Sequence, residues 1–161
     1  MIFNIEAEKI VCASKYFNSD QMRQIYQLGI RHFGENKAQD FLAKKQDLND
    51  LNITWHFIGH LQSNKVKMII DDIDLIHTLD RISLAKEIQK QAKTVKNCLI
   101  QVNLTDEHQK SGVFPQYLDE FLKEIKNYDK INIIGFMTMG KLNDLNATEK
   151  AFKSLNELNK H

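Results

Sequence analysis

The strongest constraint on the fold is a pattern that occurs six times along the chain: a short apolar run followed by a stretch with helical spacing. The apolar runs are rich in Ile, Val, Leu and Phe, and they lie at residues 10–14, 30–34, 54–59, 75–79, 98–103 and 131–137. Helices are predicted at residues 18–28, 36–48, 62–70, 82–95, 115–128 and 146–158. Short continuous apolar strands that alternate with helices are typical of a parallel sheet covered by helices. We therefore expect an α/β fold.

Local signals mark where some of these helices begin and end. Asn18, Ser19 and Asp20 offer side-chain oxygens that cap the start of the first helix, and Gly29 supplies its stop. Pro115 suits the first turn of the fifth helix, because proline has no backbone N–H to leave unpaired there.

Polar chemistry favours a barrel over a doubly wound sheet. No Gly-x-Gly-x-x-Gly motif follows the first apolar run, which disfavours a dinucleotide-binding Rossmann fold. A distinctive polar residue instead follows each run: Lys15, Glu35 with Asn36, His60, Asp80, Asn103 and Thr138. The carboxyl ends of parallel strands share one edge, and active sites of β/α barrels are built there. The sequence thus predicts a parallel (β/α) TIM-barrel type of fold, with a site at that edge.

Composition indicates one ordinary globular domain over residues 1–161, since 42% of the residues are hydrophobic and 27% are charged. The 22 basic and 21 acidic residues leave a net charge of +1, which predicts neither nucleic acid nor a membrane surface as a partner. No apolar stretch approaches the roughly 18 residues of a membrane span, and Met1 to Lys9 lacks the features of a signal peptide, so we expect a cytosolic protein. Cys12 and Cys98 lie in or beside apolar runs and are predicted to act as small hydrophobic residues, without a disulfide or a metal.

Lys15 is the candidate reactive residue. It closes the first apolar run, where an ammonium beside a dry sheet end loses hydration and the neutral amine becomes available to attack an aldehyde. The alternative from position alone is a lysine at a strand end whose charge extends into water.

Six segments resemble the pyridoxal-phosphate homeostasis protein family. They are Val11 to Lys15, His32 to Asn36, Trp55 to Lys65, Leu99 to Asn103, Lys110 to Gly112, and Gly135 to Met139. Their order and spacing match as well, from Lys9 to about Leu158, and the block from His56 to Lys65 is the most specific.

The resemblance implies a barrel related to the amino-terminal domain of alanine racemase, with pyridoxal 5′-phosphate (PLP) bound as a Schiff base on Lys15. It implies a role in intracellular PLP (vitamin B6) homeostasis without established catalytic turnover. Apo-enzymes that accept PLP are the implied partners, and a monomer or weak dimer is expected.

Four further residues are candidates for cofactor binding. Asn36 and Asn103 could hydrogen-bond the phenolic oxygen of the pyridine ring or the surroundings of the imine, or they could cap the following helices. His60 could face the cofactor or have a structural role, and Met137 could pack against the ring or fill the core. His56 and His60 lie four residues apart, but strand and turn context disfavours a shared metal, and His56 is predicted to have a satisfied ring.

The chain also departs from the family it resembles. Family members continue into two further strand-helix units whose backbone holds the cofactor phosphate, so six of eight units are expected here and the barrel is expected to be incomplete. The first and sixth strands would then be long apolar edges, and phosphate binding would be weakened. An interruption of the sequence or gene model is the alternative explanation. The segment before the first strand is also short for the family.

Three hypotheses for function remain open from the sequence. The first is a PLP-binding homeostasis protein, and the second is a fold-type III PLP enzyme such as an amino-acid racemase or decarboxylase. The third is a truncated fragment of the family that no longer binds the cofactor.

Overall fold

The computed structural model describes residues 6–105 and 111–160. Its strands are β1 Val11–Ala13, β2 His32–Glu35, β3 Thr54–Phe57, β4 Leu75–Leu79, β5 Lys96–Gln101 and β6 Ile131–Met137. Its α-helices are α1 Ser19–Gln27, α2 Ala38–Asp47, α3 Ser63–Ile69, α4 Ile82–Gln91, α5 Leu118–Ile125 and α6 Leu145–Leu158. Short 3₁₀ turns lie at Ala7–Lys9, Ser14–Tyr16, Ile70–Asp72 and Pro115–Tyr117.

The strands form one parallel sheet in the order β1-β2-β3-β4-β5-β6, which confirms the predicted alternation of strands and helices. Each strand pairs with the next one in sequence, as in a barrel, whereas a doubly wound sheet reverses its order at a switch point. Over residues 6–105 and 111–160 the sheet does not close, because no pairing joins β1 to β6.

The two edges of the sheet are unequal. The prediction of two long apolar edges is right for β6, which runs from Ile131 to Met137 and leaves Ile134 52% exposed. It is wrong for β1, which has only three residues because the chain turns into a 3₁₀ helix at Ser14. Short edge strands offer little unpaired backbone to other chains.

The predicted helix signals are present. The side chain of Asn18 accepts a hydrogen bond from the backbone N–H of Gln21, and the side chain of Gln21 accepts one from the N–H of Asn18. Gly29 follows α1 with φ of +98°, a left-handed conformation that glycine adopts without strain. Pro115 begins the turn that leads into α5.

The core lies between the sheet and its helices. Phe33 and Phe57 on neighbouring strands are fully buried, and burial of each such side chain stabilises the fold by about 1.5 to 3 kcal/mol. The ring of Phe41 on α2 meets the ring of Trp55 on β3 edge to face, with centroids 5.2 Å apart. Cys98 is fully buried among these apolar residues, as predicted, and both cysteines are free thiols.

Among the described parts of the chain, no helix has the length and apolar character that a membrane crossing requires.

Candidate functional site

A cleft of about 600 Å³ lies at the carboxyl ends of the strands. All five residues that the sequence analysis named for the site line it: Lys15, Asn36, His60, Asn103 and Met137. A larger depression of about 750 Å³ lies along α5 and the segment 112–117, but of the polar residues predicted for the rim it contains only Asp80. Convergent polar groups in a concave surface mark a binding site better than volume does, so the smaller cleft is the candidate site.

Lys15 reaches this cleft from the 3₁₀ turn that follows β1. Its side chain is exposed, and Nζ lies 5.1 Å from the ring centroid of Tyr16, which is itself 84% exposed. The expectation of a dehydrated amine is therefore wrong, because β1 is a short edge strand and no element covers its end among the described residues. The amine lines the cleft in contact with solvent.

A buried charged cluster fixes the turn that carries Lys15. Oγ of Ser14 donates a hydrogen bond to Oε1 of Glu35 at 2.6 Å. Nζ of Lys44 donates to the same oxygen at 2.7 Å and to the backbone carbonyl of Ser14 at 2.8 Å. The side chain of Glu35 is fully buried and that of Lys44 is 13% exposed. The end of β1 is thereby tied to both β2 and α2, one residue before Lys15.

Lys44 is a residue of the site that was not predicted from the sequence. The available signal was Glu35, an acidic residue that directly follows an apolar run, since a buried carboxylate requires a cationic or hydrogen-bonding partner. Nothing in the sequence says which of the lysines of the following helix supplies that partner.

Asn36 lies at the end of β2 and lines the cleft. Helix α2 begins at Ala38, and its N-cap residue is Lys37 without a side-chain cap bond, so the capping alternative for Asn36 is wrong. The end of β3 packs directly on it: a Cβ added to Gly59 would come within 2.3 Å of the backbone oxygen of Asn36. Glycine at position 59 therefore allows the loop that follows β2 and the loop that follows β3 to approach each other closely.

Asn103 is buried at 4% exposure, and its Oδ1 accepts a hydrogen bond from the backbone N–H of Thr105 at 3.3 Å. Among the described residues the next helical turn after Asn103 starts at Pro115, so Asn103 forms a local turn and does not cap that helix. Gly112 packs against it with φ of +129°, and a Cβ there would lie 2.8 Å from the backbone nitrogen of Asn103. Ser111 also lines the cleft, whereas Lys110 lies outside the described residues.

His60 and Met137 complete the predicted set. His60 is about half exposed, and its Nδ1 lies 3.6 Å from Oδ2 of Asp80. Arg81 donates a hydrogen bond to the other oxygen of Asp80 at 2.6 Å. Met137 is half-buried at the end of β6 and forms part of the cleft wall.

His56 has a satisfied ring, as predicted, but its partners were not anticipated. Its Nε2 lies 2.9 Å from Nδ1 of His32, and its Nδ1 lies 2.8 Å from Nε2 of His77. Burial, followed by the neighbouring imidazoles of His77 and His32, lowers the pKa of His56 to about 3. Over the described residues, no group of three or more histidine, cysteine or acidic side chains is arranged to hold a metal ion.

The family described as "Alanine racemase, N-terminal domain" matches residues 15–161. A protein from Aquifex aeolicus named "Pyridoxal phosphate homeostasis protein" is 40% identical over 93% of this chain and 68% of its own length. The protein of the same name from Pasteurella multocida is 37% identical over 94% of this chain and 68% of its own length. This chain belongs to the pyridoxal phosphate homeostasis protein family.

Solved structures agree with the assignment. PipY of Synechococcus elongatus, solved with PLP bound, is 27% identical and superposes with a TM-score of 0.80 over 97% of this chain and 78% of its own. Diaminopimelate decarboxylase from M. jannaschii is 18% identical, with a TM-score of 0.71 over 95% of this chain and 41% of its own, which shows a shared fold. The sheet described above is therefore of the barrel type found in alanine racemase N-terminal domains.

Proposed function

We propose that residues 1–161 form a single PLP-binding domain that holds the cofactor for vitamin B6 homeostasis, with Lys15 as its point of covalent attachment. The observation that carries the proposal is the meeting of Lys15, Asn36, His60, Asn103 and Met137 around one cleft. The PLP bound by PipY, a relative with the same fold, supports it.

The residues of the cleft suit the chemistry of this cofactor. PLP brings an aldehyde, with which a primary amine condenses to a C=N bond while one water molecule leaves. Lys15 supplies that amine. Amide groups of Asn36 and Gln101 and the hydroxyl of Thr138 line the cleft as hydrogen-bonding groups, and Ile58 and Met137 offer apolar surface for a planar ring.

Exposure of Lys15 favours storage and delivery over catalysis. Enzymes that use such a cofactor exclude water from the reacting atoms, which strengthens electrostatic interactions and prevents side reactions. Here the amine stands in solvent at the cleft mouth. An incoming amine from an apo-enzyme would reach the attached carbon by the same route, so an open site suits transfer of the cofactor to a partner protein.

Borohydride reduction followed by intact mass measurement tests the attachment. With PLP present, we expect one added phosphopyridoxyl group, which corresponds to the cofactor minus one water plus two hydrogens. It should be mapped by peptide analysis to Lys15 and be lost in Lys15→Ala. Lys153→Ala is the matched control, because Lys153 is an exposed lysine on α6 that pairs with Glu149. The assignment would be contradicted if the adduct persisted in Lys15→Ala and was lost on substitution of a different lysine.

The homeostatic role is tested separately from the covalent attachment of the cofactor. An amino-acid racemisation assay with the PLP-loaded chain is expected to show no turnover that depends on Lys15. Clear Lys15-dependent turnover would replace the homeostatic role with an enzymatic one. Sedimentation velocity is expected to show a monomer or weak dimer.

A further inference from the structure

Three histidines form a continuous hydrogen-bonded chain across the middle of the sheet. His32 on β2, His56 on β3 and His77 on β4 contribute one side chain each. The two bonds measure 2.9 Å and 2.8 Å, and the ring centroids are 5.1 Å and 5.0 Å apart. His56 uses its two nitrogens in opposite directions, which excludes a single metal-centred cluster and leaves a linear chain.

The bond pattern couples the protons of the three rings. His56 is buried at 5% exposure, and burial keeps its pKa far below neutrality, so at pH 7 its ring is neutral and carries one proton. If that proton is on Nε2, it is donated to Nδ1 of His32, and Nδ1 of His56 must accept from Nε2 of His77. All three rings are then Nε2–H tautomers, and in the reverse arrangement all three are Nδ1–H tautomers.

The two ends of the chain lie in different places. His77 lines the cleft together with Lys15, whereas His32 is the first residue of β2, at the opposite end of that strand from Glu35. Both are only partly buried. Nδ1 of His77 and Nε2 of His32 are the outer nitrogens, so the chain connects the cleft wall with the amino-terminal end of the sheet.

We propose that His77, His56 and His32 conduct a proton between the cleft and the amino-terminal end of the sheet. A proton from the cleft binds Nδ1 of His77, and the Nε2 proton of His77 moves to Nδ1 of His56. The Nε2 proton of His56 moves to Nδ1 of His32, and Nε2 of His32 releases its proton to water. At each ring one N–H bond forms and one breaks, and no electrons are transferred.

The role of this route in cofactor chemistry rests on the proposed function, because that function identifies the ligand of the cleft. The hydrogen-bond coupling of the three rings is independent of the ligand. Condensation of an amine with an aldehyde, and its reversal, take up and release protons at successive steps. A proton path in the cleft wall serves that chemistry. His56 and His32 then act as positioning residues, because they act on the cleft only through His77.

Long-range ¹H–¹⁵N correlation spectra of histidine-labelled protein test the coupling without any ligand. We expect His32, His56 and His77 to share one tautomer, either all Nε2–H or all Nδ1–H. In His56→Phe, His32 is expected to lose its single tautomer and to show averaged nitrogen shifts, although His32 is itself unchanged. Unchanged His32 shifts in that variant would overturn the chain.

Addition of PLP tests conduction. In the wild type the nitrogen shifts of His32 are expected to move on ligand binding, and in His56→Phe they are expected to stay fixed when the two proteins are compared at the same fraction of Lys15 carrying the adduct. Movement of His32 in both proteins would overturn the proposal. If no adduct forms, the proposed function is refuted. The tautomer measurement without ligand then decides by itself whether the three rings are coupled.

Controls separate coupling from a general disturbance of the sheet. Asn97→Ala removes the 2.8 Å side-chain bond between Asn132 and Asn97, on β6 and β5 of the same sheet, and is expected to leave His32 unchanged. If His56→Phe does not fold, His77→Phe at the less buried end of the chain takes its place. The expected result is again an altered tautomer at His32, two rings away.

Discussion

The two halves of the sheet are held together in different ways. From β1 to β4 the strands are short, with β1 paired to β2 only from Val11 to Ala13, and polar side chains bond to one another across them. The buried polar side chains near β5 and β6, such as Gln101 and Thr138, bond instead to backbone carbonyls. From β5 to β6 the backbone ladder runs from Lys96 opposite Ile131 to Gln101 opposite Met137. It continues through the backbone bond of Val102 to Met137 at 2.8 Å, and beyond it the backbone N–H of Asn103 donates to the carbonyl of Val113, in the segment before Pro115, at 2.9 Å.

This difference determines what each half responds to. Buried polar side chains require their partners, so the loss of one group leaves another unsatisfied at a large cost in free energy. Ladder bonds belong to the backbone and survive most changes of side chain. The first half is therefore expected to respond to single polar substitutions and to pH, and the second half chiefly to changes in backbone conformation.

The largest effect is expected at the buried ion pair of Glu35 and Lys44. Glu35→Gln or Lys44→Met should each destabilise the protein by about 3 to 5 kcal/mol, because a buried charge loses its partner. Urea unfolding monitored by circular dichroism measures this change. Lys153→Ala, at an exposed pair with side chains 76% and 66% accessible, is the control and should have no measurable effect.

The double variant Glu35→Gln/Lys44→Met sharpens this comparison. It should be more stable than the sum of the single changes predicts, since neither charge remains buried alone. Additive losses would show that the two residues do not act as a pair.

The next effect is a pH dependence that arises in the histidine chain. The folded state binds a proton at His56 only near its pKa of about 3, whereas the unfolded chain regains the ordinary value of 6.5. Because the unfolded state then binds more protons, stability should be complete above pH 6.5 and should fall as the pH drops below it. Urea unfolding at pH 7 and pH 5 measures this loss.

The matched comparison is between two histidine variants. The loss between pH 7 and pH 5 should be smaller in His56→Gln than in the wild type, and it should be retained in His60→Gln, because His60 is about half exposed. Equal losses in all three proteins would place the pH sensitivity elsewhere.

In the second half, a backbone change should cost more than a side-chain change. Gly112→Ala forces φ of +129° on a residue with a Cβ and brings that atom to 2.8 Å from the nitrogen of Asn103. We expect a loss of about 1 to 3 kcal/mol. Thermal unfolding measures it, and wild-type stability in this variant would show that the loop relaxes freely.

The smallest effect is expected at Ile134 on the edge strand. This side chain is 52% exposed, so Ile134→Thr, which keeps the β-branch, should change stability by no more than about 0.5 kcal/mol. The variant should, however, reduce association at high concentration, because it lowers the apolar character of an open strand edge. Light scattering against concentration measures this, and stronger association in the variant would contradict it.

The predictions that the structure overturned share a cause. Lys15 lies at the strand end as predicted but is not dry, since a sequence does not show that β1 has only three residues and lies at an edge. Helix capping by Asn36 and Asn103 is also wrong, because α2 starts two residues after Asn36 and the turn at Asn103 precedes Pro115 by several residues. Both errors arose because the sequence does not give the exact first and last residues of the strands and helices.

The sequence alone determined the strand-helix alternation, the parallel sheet and five of the residues that line the cleft. Hydrophobic periodicity and residue order carry that information, and the carboxyl ends of parallel strands must share an edge. Only the tertiary structure decided that Lys44 pairs with Glu35, that Lys15 stands in solvent, and that three histidines join across β2, β3 and β4. These contacts depend on strand register and side-chain direction between distant segments, and a one-residue shift in register would break them.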